Sequence, residues 1–196
     1  MPPRGIWCVL SGLEPEQIRQ RGAAALAAGA AALTLRRPAC GAGAAAAAWA
    51  SPELAPAWRA THGHGDWALA GGAQAVIAGA RSLGVADYLL LDRRLMVGAS
   101  VHDEDEARRA RDDGAAFLIF GPIWATPEKS AFLEPRGLGA LAQLAALGLP
   151  VIAIGGILTP AHVRSALDAG AHACAVLRAA VEPATLSALV RSADAC

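Results

Sequence analysis

The stretch VIAIGGILTPAHVRSALDAG, residues 151–170, contains one complete unit of a strand followed by a helix. An apolar run of strand length comes first, and a helical pattern then starts with Thr159 as the expected N-cap and Pro160 at the first helical position. The strand runs into Gly155 and Gly156, which have no side chain to bury. We expect the backbone there to approach another group closely, such as a phosphate.

The same unit recurs along the whole chain, because apolar runs of strand length alternate with helical stretches. The strand candidates are residues 5–10, 31–36, 58–61, 75–78, 96–101, 116–120, 151–155 and 172–177. Most of these runs are continuously apolar, which is typical of parallel strands covered on both faces. Eight parallel strand–helix units predict a compact (β/α)8 barrel, with residues 1–196 as a single domain.

An open, doubly wound sheet is the competing architecture. The sequence VLSGLEPE that ends the first strand lacks the GxGxxG fingerprint of such sheets, which favours the barrel. Helices are predicted over 15–29, 103–114 and 159–170, where acidic residues or proline open the pattern and glycine closes it. The alanine-rich stretch 41–58 is predicted to be helix rather than linker.

Composition excludes several classes of protein. Lys+Arg and Asp+Glu both total 17, so the zero net charge gives no electrostatic case for nucleic acid or an anionic membrane as a partner. The four cysteines form no CxxC pair, so no zinc site is expected. Neither a signal peptide nor a membrane span is predicted, and a cytoplasmic location is the default expectation.

Residues at the ends of strands seven and eight predict a phosphate site. Gly155 and Gly156 follow strand seven, and Leu177 and Arg178 follow strand eight, where barrels of this class often bind a phosphate. Backbone N–H groups and the Arg178 guanidinium would supply the donors. In the alternative, the glycines only make a turn and Arg178 is solvated.

Other strand ends supply further candidates for substrate binding. Arg36 ends strand two and Ser100 lies in strand five, while Thr126 and Lys129 lie in a long loop after strand six that is typical of a lid. The alternatives are that Arg36 pairs with an acid at the rim and that Lys129 is solvated. Arg37 is expected to face solvent.

Two histidines follow strand three. His62 and His64 alternate as strand residues do, so one is expected to point into the site and the other away. No Asp, Glu or Cys accompanies them, so a metal site is not predicted there.

The segments GASVHDEDEARRARDDGAAFLIFGPIWATPEKS and LPVIAIGGILTPAHVRSALDAGAHACAVLRA resemble the thiamine phosphate synthase/TenI family of small (β/α)8 barrels. The resemblance is strongest over 97–179. It implies one of two activities. Synthases join a pyrimidine pyrophosphate to a thiazole phosphate and release pyrophosphate with Mg²⁺, whereas TenI-type proteins tautomerise the thiazole phosphate carboxylate. In both, the resemblance implies that the thiazole phosphate lies at the two glycines and after strand eight.

Departures from the synthase pattern favour the TenI-like branch. Arg36 is kept, but Gly63 and Ser82 stand where a synthase has its metal-binding acids. Because Mg²⁺ prefers carboxylate oxygen, no metal or other cofactor is expected, and Mg²⁺ would be needed only under the synthase alternative.

The tautomerase interpretation needs a base, because Pro122 stands where the resemblance places the catalytic histidine. His62 or His64 would have to move the proton. Three hypotheses therefore remain: a TenI-like thiazole phosphate binder and tautomerase, a thiamine phosphate synthase, and a non-catalytic binder of a phosphorylated small molecule. The sequence does not decide between a monomer and a homo-oligomer.

Overall fold

The computed structural model describes residues 1–126 and 134–195. Within them, eight parallel strands pair in chain order into a closed barrel, which confirms the predicted fold class. The strands are β1 Gly5–Ser11, β2 Ala32–Arg36, β3 Trp58–His62, β4 Ala75–Ala78, β5 Met96–Val101, β6 Phe117–Phe120, β7 Val151–Ile154 and β8 Ala173–Val176. β1 pairs with β8 through Gly5 opposite Ala173, which closes the ring.

A helix follows every strand. The helices are α1 Pro15–Ala27, α2 Ala42–Trp49, α3 Gly65–Ala70, α4 Val85–Leu91, α5 Glu104–Asp112, α6 Gly137–Ala145, α7 Pro160–Asp168 and α8 Pro183–Asp194. Helices of the described residues lack the length and apolar character that crossing a membrane would require.

Local sequence signals set several helix ends. Thr159 caps α7, where its hydroxyl accepts a bond from the His162 amide at 3.3 Å, and Pro160 is the first helical residue, as predicted. The alanine-rich prediction over 41–58 is too long, because α2 ends at Trp49. Pro52 and Pro56 follow it, and proline lacks the amide that a continuing helix needs.

The apolar core has two layers. One lies between the strands and the surrounding helices, and the other fills the barrel interior. At the N-terminal end of the interior, the rings of Trp7, Trp58 and Phe117 pack together with centroids 4.8–6.1 Å apart. The interior is therefore filled at the N-terminal end, whereas the described residues leave the C-terminal end open.

Candidate functional site

A cavity of about 370 Å³ opens at the C-terminal end of the barrel, which is large enough for a small phosphorylated molecule. Four arginines line it: Arg36, Arg37, Arg81 and Arg178. No acidic side chain of the described residues lines it with them. The chain as a whole has no net charge, so the positive charge is concentrated locally at this cavity. Such a local excess favours the binding of anions.

The arginines come from different walls of the cavity. Arg36 ends β2 and Arg37 follows it, Arg81 lies between β4 and α4, and Arg178 follows β8. Since β4 and β8 are four strands apart in a ring of eight, Arg81 and Arg178 come from opposite sides. Burial, and then the charges of Arg37 and Arg81, lower the pKa of Arg36. The three cations on the β2–β4 side therefore repel one another when no anion is bound.

Gly155 and Gly156 line the cavity, but their missing side chains have a different cause from the one expected. Both have positive φ, +98° and +72°. A Cβ on Gly155 would lie 2.6 Å from Cα of Pro122, and one on Gly156 would lie 2.5 Å from Cβ of Trp124. The close approach is therefore to the segment after β6 rather than into ligand space.

Backbone bonds fix the same approach between the ends of β6 and β7. The amides of Ile123 and Trp124 donate to the carbonyls of Ile154 and Gly155, at 3.0 and 3.1 Å. The indole of Trp124 stacks on the His162 ring at 4.4 Å. The two glycines thus hold one wall of the cavity together, and phosphate binding at their backbone stays a prediction.

The segment after β8 forms the neighbouring wall. Leu177, 40% exposed, and Arg178 both line the cavity, and the Val181 amide donates to the Arg178 carbonyl at 3.1 Å in a tight turn. Gly156 and Arg178 come from adjacent strands and meet on one side of the cavity. The structure therefore brings together the four residues that were predicted to hold the phosphate.

Neither candidate base lines the cavity. His62 lies at the end of β3, with Nε2 3.3 Å from the hydroxyl of Thr34. Burial, with smaller contributions from Arg36 and Arg37, lowers its pKa to about 3, so the ring is neutral and a weak base. His64 turns away, stacked on Trp67 at 3.5 Å.

Of the three remaining predicted site residues, one lines the cavity, one does not, and one lies outside the described residues. Thr126 lines the cavity and is nearly buried. Ser100 lies in β5, two residues after Gly98 on the same face of the strand, and does not line the cavity. Lys129 lies outside the described residues.

Sequence reasoning missed two of the four arginines. Arg37, expected to face solvent, is exposed and also lines the cavity, and Arg81 was not among the predicted site residues. Both follow the end of an even-numbered strand, which was a usable signal. Arg37 has a second one that only the backbone shows: its φ of +45° makes it the single non-glycine residue of the described chain with positive φ.

The sequence matches known proteins over most of its length. A family model described as "Thiamine monophosphate synthase" matches residues 11–180. A protein of Geobacter sulfurreducens named "Putative thiamine-phosphate synthase" is 40% identical over 119 residues, which cover 59% of this chain and 55% of that protein. The "Thiamine-phosphate synthase" of Anaeromyxobacter dehalogenans is 40% identical over 133 residues, 65% of this chain and 60% of that one. The matched region therefore spans a little over half the length of these relatives.

Solved structures agree on the fold. "Thiamine phosphate pyrophosphorylase from Pyrococcus furiosus" superposes with a TM-score of 0.85 at 24% identity, over 97% of this chain and 96% of that one. At this identity the likeness shows the fold alone. The family match over residues 11–180 carries the assignment instead, and the chain belongs to the thiamine monophosphate synthase family.

Proposed function

We propose that this chain is a transferase of thiamine phosphate synthesis, which joins a pyrimidine pyrophosphate to a thiazole phosphate in the arginine-lined cavity. The observation that carries the proposal is a single cavity with cations on opposite walls and no acidic side chain among the described residues that line it. Joining two phosphorylated substrates brings two anionic groups into one cavity, and cations on two walls can hold both substrates in position to react.

The two walls suit the two substrates. The thiazole phosphate is assigned to the side of Gly155, Gly156 and Arg178, where backbone and guanidinium donors can converge on one phosphate. The pyrophosphate is assigned to the side of Arg36 and Arg81, where positive charge is densest. The apolar lining between the walls would bury the two heterocycles.

The transfer reaction does not require a general acid or base from the protein. The bond between the pyrimidine's carbon and the pyrophosphate oxygen breaks, and its electron pair leaves with pyrophosphate. A carbon–nitrogen bond forms to the thiazole ring nitrogen, and no proton has to move. A cavity lined by cations and apolar groups, with no histidine among its described lining residues, fits this requirement.

A tautomerase, the function first expected, would need a group that moves a proton. His62 has a pKa of about 3 and His64 points away, while Pro122 carries no titratable group. The curated relatives are also named as synthases, which supports the transferase alternative more than the tautomerase.

The test incubates purified protein with pyrimidine pyrophosphate and thiazole phosphate and measures thiamine phosphate and pyrophosphate by chromatography. A parallel sample contains thiazole phosphate carboxylate alone and is followed for tautomerisation. We expect both transfer products in a 1:1 ratio. Their yield at low thiazole phosphate concentration should fall strongly on Arg178→Ala and be kept on Arg93→Ala, which removes an exposed arginine before β5 at the other end of the barrel. Tautomerisation without transfer would overturn the proposal.

A further inference from the structure

The family resemblance places metal-binding acids at two positions that carry Gly63 and Ser82 in this chain, and these two residues pack against each other. A Cβ on Gly63 would lie 3.2 Å from Cβ of Ser82, so these residues are direct neighbours. The Ser82 hydroxyl accepts from the Gly79 amide at 2.9 Å and lies 3.0 Å from the Leu83 carbonyl. The Ser82 hydroxyl is therefore bonded to the backbone of its own loop. Neither Gly63 nor Ser82 has a carboxylate that could bind a metal ion.

Neighbouring acids do not replace the missing pair. Asp66 is exposed at the start of α3, and the Asp87 carboxylate accepts from the Gly84 amide at 3.1 Å at the start of α4. Neither lines the cavity, and nowhere in residues 1–126 and 134–195 do three or more His, Cys, Asp or Glu side chains gather as a metal site would need. The donors of the described chain do not fit Mg²⁺, which prefers carboxylate oxygen.

A cation adjoins one of the two positions that lack an acid. Arg81 directly precedes Ser82, and it lines the cavity together with Arg36 and Arg37. Arg37 and Arg81 are both close enough to Arg36 for their charges to lower its pKa, although burial lowers it more. Arg37 also keeps its left-handed backbone although it carries a side chain, a conformation that clusters at functional sites.

We propose, on the basis of the proposed function, that Arg36, Arg37 and Arg81 replace Mg²⁺ and bind the pyrophosphate group of the substrate without a metal ion. A guanidinium presents two parallel N–H donors that match two phosphate oxygens, so three of them can engage both phosphates of pyrophosphate. The repulsion among the three empty cations is relieved when the anion binds.

The same groups serve the transfer step. When the carbon–oxygen bond of the pyrimidine pyrophosphate breaks, the electron pair goes to pyrophosphate, and negative charge grows on the oxygen that was bonded to carbon. Fixed guanidinium groups stabilise that charge where a metal ion would otherwise do so. The atoms balance with thiamine phosphate and pyrophosphate as the only products.

The test measures inorganic pyrophosphate binding by isothermal titration, first with a chelator and then with Mg²⁺ added. We expect binding in the chelator, and no more than about twofold tighter binding with Mg²⁺, because no carboxylates hold the ion. Binding that appears only with Mg²⁺ would overturn the proposal.

Substitutions locate the bound anion. We expect Arg81→Ala to weaken pyrophosphate binding about tenfold or more, the effect of losing one charge-assisted hydrogen bond. Arg93→Ala should leave it within about twofold, because Arg93 lies before β5, away from the cavity. If Arg178→Ala weakens pyrophosphate binding more than Arg81→Ala does, the anion lies against the β8 wall and the proposal is wrong.

Turnover separates this inference from the function on which it rests. Transfer that proceeds equally in chelator and in Mg²⁺ supports both. Transfer that requires Mg²⁺ overturns the arginine proposal and leaves the transferase intact. Pyrophosphate binding in chelator at Arg81, with no transfer under either condition, supports the metal-free anion site and overturns the transferase.

Discussion

The two ends of the barrel are built from the same eight strands, but one is packed with aromatic side chains and the other holds the arginine-lined cavity. At the N-terminal end, Trp7, Trp58 and Phe117 fill the interior, and the Trp7 indole donates to the Pro3 carbonyl at 3.0 Å. His172 lies 2.9 Å from the Pro2 carbonyl, so the first residues lie across this end. The C-terminal end instead holds an open cavity edged by arginines.

The difference separates stability from function within one fold. Aromatic volume at the closed end stabilises the barrel through burial and close packing. The open end gives up that packing, since a binding site needs empty space and polar groups. Substitutions at the closed end should therefore change unfolding, and those at the open end should change ligand affinity.

Gly156→Val is expected to break this rule and to have the largest effect. The residue lines the cavity, but its φ of +72° and its contact with Trp124 leave no room for a side chain. Strain and overpacking together should cost roughly 2–6 kcal/mol of unfolding free energy. Thermal and urea unfolding would measure the loss. Gly139→Val in α6, where a Cβ would meet nothing within 4 Å, is the control and should stay within about 0.5 kcal/mol. If Gly156→Val is as stable as the parent, the contact with Trp124 does not explain this glycine.

Phe117→Ala tests the closed end. The ring is fully buried against Trp7 and Trp58, so its removal should cost roughly 3–5 kcal/mol through lost burial and the cavity left behind. Affinity for inorganic pyrophosphate should stay within about twofold wherever the variant is folded. Leu90→Ala, at a residue 82% exposed, is the control for unfolding. A large loss of affinity in folded Phe117→Ala protein would mean that the two ends are coupled.

Arg178→Ala tests the open end. Removing a charged hydrogen-bond donor should weaken thiazole phosphate binding by roughly 1.5–3 kcal/mol. Titration calorimetry measures the loss, and circular dichroism at matched temperature checks the fold. Unchanged affinity would move the phosphate away from the β8 wall.

His62 is expected to have a smaller effect, which is a pH dependence of the unfolding free energy. Its pKa of about 3 in the folded protein lies below the usual value of about 6.5, so the unfolded chain takes up a proton first as the pH falls. Stability from this group is therefore present above about pH 6.5 and is lost toward pH 3, with a slope of at most about 1.4 kcal/mol per pH unit. Urea unfolding between pH 4 and 7 should show a shallower dependence in His62→Gln than in the parent. Equal slopes, or an NMR titration of His62 near pH 6.5, would contradict the prediction.

Arginine illustrates why residue type alone does not identify a site. Arg59 in β3 is 5% exposed, and its guanidinium donates to the carbonyls of Trp49 and Gly72 while lying 5.9 Å from the centroid of the Trp49 ring. It fastens β3 to the segments around it. Arg81 is exposed and lines the cavity. The two share a residue type but differ in burial and in the segment that carries them.

By itself the sequence determined the elements and their order. Strand-length apolar runs, proline and threonine at the start of α7 and the repeated spacing are local signals, so the eight strands were predicted to within two residues at each end. It also determined that Gly155, Gly156 and Arg178 would meet, because neighbouring parallel strands end at the same side. Only the tertiary structure decided that Arg37 and Arg81 line the cavity and that burial lowers the pKa of His62. It also decided that Trp124 leaves no room for a side chain at position 156. These depend on contacts between residues that are far apart in the sequence, and the direction and desolvation of a side chain are not encoded in its neighbours along the chain.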